Sequence, residues 1–127
     1  MKRIILDTNF LLIPYNFHVD IFAEIDRICH FPYQLVVLDA TINELKRIIE
    51  RQRGRHRDAA KFALLLINKK DLYTPANSTE HIADDVIVEI ADKDTIVATQ
   101  DKVLGKRLKE KNIRRIVLRN KKYLEMI

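Results

Sequence analysis

The residues best suited to chemistry in this chain are five acids: Asp7, Glu44, Asp84, Asp85 and Asp101. Asp7 follows the short run Lys2 to Leu6, and Asp101 lies just past the β-rich run Thr95 to Thr99. Glu44 falls in the first turn of a helical pattern, and Asp84 and Asp85 open another. Carboxylates held close together repel one another and raise one another's pKa. A hard divalent cation relieves that repulsion, and Mg²⁺ or Mn²⁺ prefers oxygen ligands and keeps several waters. Such an ion can activate a water and offset charge developing on a phosphate. Asn9 and Thr99 can orient carboxylates or water by hydrogen bonding. Each acid also has a plainer reading as a helix cap or first-turn residue.

Asp84 and Asp85 compete for one role. On a helix, Asp84 aligns with Ile87, Val88 and Ala91, an apolar stripe that would face a sheet. Asp85 aligns with Val88, Glu89 and Asp92, a more exposed side. Asp84 is therefore the favoured metal ligand with Asp7 and Asp101, and Asp85 the alternate. Asp92 and Asp94 read as solvated.

Positioning these acids requires a framework, and the hydrophobic pattern supplies one. Strands are expected at Lys2–Leu6, Leu35–Leu38, Leu72–Thr74, Thr95–Thr99 and Ile113–Leu118. Helical patterns cover His18–Cys29, the segment after Asp39 or Thr41 as far as Gly54, Arg55–Asn68, residues 81–92 and Asp101–Lys111, while Pro14 interrupts Phe10–Ile13. Alternating strands and helices predict a parallel sheet with helices on both faces. Ligands of such sheets sit beyond the carboxyl ends of the strands, near the switch point. Asp7 and Asp101 occupy strand ends of this kind.

The chain has 127 residues, 47% of them hydrophobic, which suits a single domain over 1–127 with a real core. Two Gly and three Pro are too few for a turn-rich all-β fold, and two Gly exclude a glycine-rich phosphate loop. A receiver-type signalling domain is disfavoured, because its acidic pair would stand at the end of the first strand. No apolar run is long enough to span a bilayer, and the opening residues turn acidic too soon for a signal peptide. The lone Cys29 reads as a buried apolar residue and suits a reducing cytoplasm.

Charge is unevenly spread. The net charge is +5, yet residues 46–57 carry six basic side chains against one acidic, and residues 102–122 carry ten against one. The remaining body is acidic. Two basic blocks beside an acidic constellation read as a polyanion-binding surface. Arg51, Arg53, Arg55 and Arg57 in the first block, and Lys106, Arg107 and Arg119 in the second, are the expected phosphate contacts.

Four segments, in order, resemble the motifs of the PIN-domain nucleases: Leu6-Asp7-Thr8-Asn9, Thr41-Ile42-Asn43-Glu44-Leu45, the run Ala83 to Ala91 opened by Asp84-Asp85, and Ile96-Val97-Ala98-Thr99-Gln100-Asp101. The resemblance covers essentially the whole chain. The Asp-Asp helix and the closing Val-Ala-Thr-x-Asp strand resemble the archaeal and eukaryotic branch linked to small-subunit pre-ribosomal RNA cleavage. The VapC-type toxin ribonucleases share the same acids. The resemblance implies a three-layer α/β sandwich around a parallel sheet of about five strands. It also implies a Mg²⁺- or Mn²⁺-dependent endoribonuclease acting on single-stranded RNA, frequent homodimers, and an antitoxin or a pre-ribosomal partner. Asp7, Glu44, Asp84 and Asp101 would be its catalytic acids. Some PIN domains bind RNA without cutting it, so the alternative is a non-catalytic RNA-binding or ribosome-assembly protein.

Overall fold

In the computed structural model, which describes residues 1–70, 72 and 83–127, hydrophobic alternation builds the central sheet. In β1 (Lys2–Leu6), Ile4 and Leu6 enter one core while Ile5 enters the other. In β3 (Thr95–Ala98), Ile96 and Ala98 point to the first core and Val97 to the second. Side chains in a strand alternate between faces, so consecutive apolar residues in a strand feed two helical layers.

The strand order is β2-β1-β3-β4-β5, with β2 at Tyr33–Val36, β4 at Arg114–Arg119 and β5 at Tyr123–Met126. The first four strands are parallel, with Leu6 opposite Ala98 and Ala98 opposite Ile116. The order runs outward in both directions from β1 and β3. The carboxyl ends of these two central strands therefore lie side by side where the connections diverge.

One face of the sheet is covered by α3 (Ile21–Ile28), α4 (Asp39–Arg51) and α5 (Arg55–Lys69), with α1 (Thr8–Leu11) and α2 (Ile13–Phe17) beside them. Phe10, Ile25, Leu45, Ala60 and Ala63 are buried there. The other face carries α6 (Ala83–Ile90) and α7 (Lys102–Glu110), whose Ile87, Leu104 and Leu108 pack on Ile5 and Val97. This is the expected three-layer arrangement. Among the described residues, no helix is long and apolar enough to cross a membrane.

Several local expectations need correction. The expected last strand is followed by another, β5, antiparallel to β4, so the sheet is mixed at one edge. Asn120 and Lys121 turn the chain with φ of 52° and 56°, a left-handed pair that suits a tight hairpin. The expected strand at 72–74 lies outside the described residues except for Leu72, which is not in a strand. α3 starts at Ile21 rather than at His18, with Asp20 capping it by accepting from the amides of Phe22 and Ala23. Neither Asp39 nor Thr41 stands at the cap of α4, which starts at Asp39 after Leu38. Pro14 does not end a helix: it sits in the first turn of α2, where its missing N–H has no intrahelical partner to lose.

A candidate carboxylate centre at the sheet edge

β1 ends at Leu6, and its exit places Asp7 at the cap of α1. Asp7 is buried, with 3% of the residue exposed. Both of its oxygens are held: Oδ1 accepts from the Thr8 amide at 2.8 Å, and Oδ2 accepts from the Thr99 hydroxyl at 2.7 Å. Burial pushes the Asp7 pKa up. The Thr99 and Thr8 hydrogen bonds oppose that rise, while the charges of Glu44 and Asp101 add to it.

The other acids arrive from separate elements. Glu44 comes from α4, and its Oε2 accepts from the Thr8 hydroxyl at 2.7 Å. Asp101 caps α7, with Oδ1 accepting from the amides of Val103 and Leu104. The Thr99 hydroxyl also accepts from the Asp101 amide, so one threonine ties Asp7 to the loop that carries Asp101. Asp84 comes from the first turn of α6. Its pKa is pushed up to about 6, first by burial and then by the charges of Asp7, Asp101 and Glu44, with Arg107 pulling the other way.

Asp7, Glu44, Asp84 and Asp101 line one crevice of about 270 Å³, together with Thr8, Asn9, Leu12 and Ile48. Among the described residues, no cationic side chain lines it. Glu44 and Ile48 also border an adjacent hollow walled by Arg47 and Arg51. Among the described residues, no three of these acids are drawn into a ready-made ligand cluster. The arrangement is an open crevice with one or both oxygens of Asp7, Glu44 and Asp101 anchored. An all-oxygen donor set of this kind fits a hard divalent ion that retains much of its own water.

The structure separates residues that the sequence groups together. Asp85 points away from the crevice, with a 60% exposed side chain paired to Arg107 at 2.9 Å. Asn9 lines the crevice but accepts from the Gln100 amide rather than orienting a carboxylate. Arg55 is engaged elsewhere: it donates to the Asn16 backbone and side chain and lies over the Tyr15 ring. Arg53 and Arg57 are exposed, and Arg119 pairs with Glu125 at 2.8 Å. Lys106 faces a groove beside α7. His81 lies outside the described residues.

Sequence reasoning missed three residues. Thr8 reads as a turn former, yet its hydroxyl holds Glu44 from 36 positions away. Gln100 accepts from the Leu118 amide at 2.7 Å and so fixes the exit of β3 against β4. Lys111 reads as one more basic residue, yet it donates to the carbonyls of Val88 and Ala91 at the end of α6. Only Thr8 carried a signal, its place between Asp7 and Asn9.

This fold is that of a known domain class. The family pattern described as a PIN-like domain matches residues 4–121, and the chain belongs to that family. It is similar to Ribonuclease VapC4 of Methanocaldococcus jannaschii, with 33% identity over 130 aligned positions that cover 99% of this chain and 97% of the relative. The fold is also similar to that of the PIN domain endonuclease Utp24. That likeness has a TM-score of 0.78 at 22% identity, covering 98% of this chain and 90% of the other.

Proposed function

We propose that the chain is a divalent-metal-dependent endoribonuclease that cuts single-stranded RNA at the crevice of Asp7, Glu44, Asp84 and Asp101. The observation that carries this reading is the convergence of four carboxylates, from four elements, on a crevice with no cationic lining among the described residues. Such a site is costly without a cation and repels RNA unless one is present. That argues against the alternative, an RNA-binding or ribosome-assembly protein without catalysis. The names of the similar proteins, a ribonuclease and an endonuclease, support the same reaction class. The greater identity to Ribonuclease VapC4 favours the VapC-type branch over the pre-ribosomal one, with an antitoxin as regulating partner.

Asp7, Asp84 and Asp101 would hold the ion, Mg²⁺ or Mn²⁺, directly or through water. When bound, such an ion supplies charge neutralisation at the phosphate and a more acidic water. Thr8 and Thr99 keep Asp7 in one rotamer, so the site loses little entropy on loading. Glu44, steadied by the Thr8 hydroxyl, is placed to orient the attacking water and accept its proton. The water oxygen forms a bond to phosphorus, the ester P–O bond breaks, and the leaving oxygen takes a proton from solvent, so the products are a phosphomonoester and a hydroxyl. Arg47 and Arg51, next to Glu44, hold a flanking phosphate.

The test is cleavage of a labelled single-stranded RNA with Mn²⁺ or Mg²⁺. Asp7→Asn removes a charge at nearly constant volume, and it should reduce the rate by at least about 10²-fold, a loss of roughly 3 kcal/mol of transition-state stabilisation. A chelator should do the same to the parent protein. Undiminished cleavage by a purified Asp7→Asn protein would overturn the assignment.

A further inference from the structure

A groove of about 450 Å³ lies between α7 and β4 and is not the crevice of acids. α7 divides its cations between two faces. Arg107 and Lys111, four residues apart, turn towards α6, where they meet Asp85 and the carbonyls of Val88 and Ala91. Lys102, Lys106 and Lys109 recur at helical spacing on the other side and line the groove. All three are exposed, and none forms an ion pair among the described residues.

The opposite wall adds Arg115 and Arg119 from β4. The Arg115 guanidinium passes over Gly105, with Nη1 3.6 Å from where a Cβ would stand. Its Nε is enclosed and has no hydrogen-bond partner among the described residues. A buried donor without an acceptor is rare in folded proteins and costs free energy.

The groove also opens onto the acids. Asp101 lines both cavities. Gln100, in the groove, is joined to Asn9, in the crevice, by the bond from its amide to Asn9 Oδ1. The order along this edge is therefore a cationic groove, the acidic crevice, and the Arg47–Arg51 hollow.

We propose that the groove between α7 and β4 is a phosphate-backbone subsite that holds the single-stranded RNA on one side of the cleavage point, with Lys102, Lys106, Lys109 and Arg115 as its contacts. This rests on the nuclease reading of the adjoining crevice. Contacts of this kind give affinity and position without sequence choice.

The experiment measures binding of a labelled single-stranded RNA to the uncleaving Asp7→Asn protein across a range of salt concentrations. Each phosphate contact contributes about 0.7 to the slope of log affinity against log salt for a single strand. Replacing Lys102, Lys106 and Lys109 by Ala in that background should lower the slope by about 2. The same change at Lys61, Lys69 and Lys93, exposed and away from the groove, removes equal charge and should change the slope much less. In the active protein, the groove variant should raise KM for a long RNA with little change in kcat. Equal slopes for both triple variants, with the parent still binding and cutting RNA, would overturn the subsite and leave the nuclease reading standing. A parent that neither binds nor cuts RNA would overturn both.

Discussion

The threonines beside Asp7 decide how its carboxylate behaves. Thr99 donates to Asp7 Oδ2 in a buried setting, and this bond opposes the rise in pKa that burial causes. Thr99→Val removes the donor at similar volume. It should cost about 1.5–3 kcal/mol of stability at neutral pH, the range for a hydrogen bond to a charged group, read as a lower denaturant midpoint. It should also move the acidic limb of the cleavage profile to higher pH at subsaturating metal, because Asp7 then holds its proton more tightly. A limb that stays in place would show that Thr99 does not tune Asp7. Asp84 gives a second prediction. Its folded pKa, about 6, exceeds the ordinary 3.8, so the folded state binds the proton more tightly. That contribution is fully present below 3.8 and is lost as pH rises to about 6. Above that range the ionised carboxylate is a burden on the metal-free protein, and Asp84→Asn should raise the metal-free Tm there. Asp84 is partly solvated, so screening reduces the gain to about 1 kcal/mol. Equal melting of variant and parent at neutral pH would contradict the electrostatic description of the crevice. The acids themselves were legible because strand ends are visible in a pattern of apolar runs. Their partners were not. The Thr8–Glu44 bond joins two elements far apart in sequence, and nothing in a run of basic residues tells which one turns towards Asp85 and which towards solvent.

At the scale of elements, α6 brings Asp84 to the crevice, and α7 holds α6 in place at two points. Arg107 pairs with Asp85 in the first turn of α6, and Lys111 joins the carbonyls at its end. A cation at a helix C-terminus also complements the helix dipole. Lys111→Met keeps the length of the side chain and removes the donor. It should cost about 1–2 kcal/mol, speed amide exchange in α6, and raise the Mn²⁺ concentration needed for half-maximal cleavage. Unchanged exchange in α6 would leave Lys111 with no positioning role. The layers were legible for the same reason as the acids: Ile4 to Leu6 in β1 and Ile96 to Ala98 in β3 are unbroken apolar runs, and the helices between them repeat at helical spacing. β5 was not, because its approach, Arg119 to Lys122, is charged and has no glycine to announce a hairpin. It is held instead by long-range bonds: Leu124 donates to Glu24 Oε1, and Arg27 donates to the Leu124 carbonyl. α3 thus covers the outer edge of the sheet, which would otherwise expose unpaired backbone.

Over the whole molecule, the two basic blocks fall on either side of the acids. The first runs through the later part of α4 into α5, and the second through α7 and β4. A chain with a net charge of +5 can therefore draw in a polyanion while keeping its reactive edge acidic. A metal held there as proposed would tie stability to its concentration: an ion that binds only the folded state adds RT ln(1 + [L]/Kd), about 2.7 kcal/mol at a hundredfold excess over Kd. The most direct test of the account is a calorimetric titration of Mn²⁺ into the parent, Asp7→Asn, Asp84→Asn and Asp85→Asn proteins, without RNA. The account predicts a binding isotherm for the parent and for Asp85→Asn, and a loss of at least about tenfold in affinity for Asp7→Asn and Asp84→Asn. Equal Mn²⁺ affinity in all four proteins, or none in the parent, would contradict the claim that these carboxylates form a metal site.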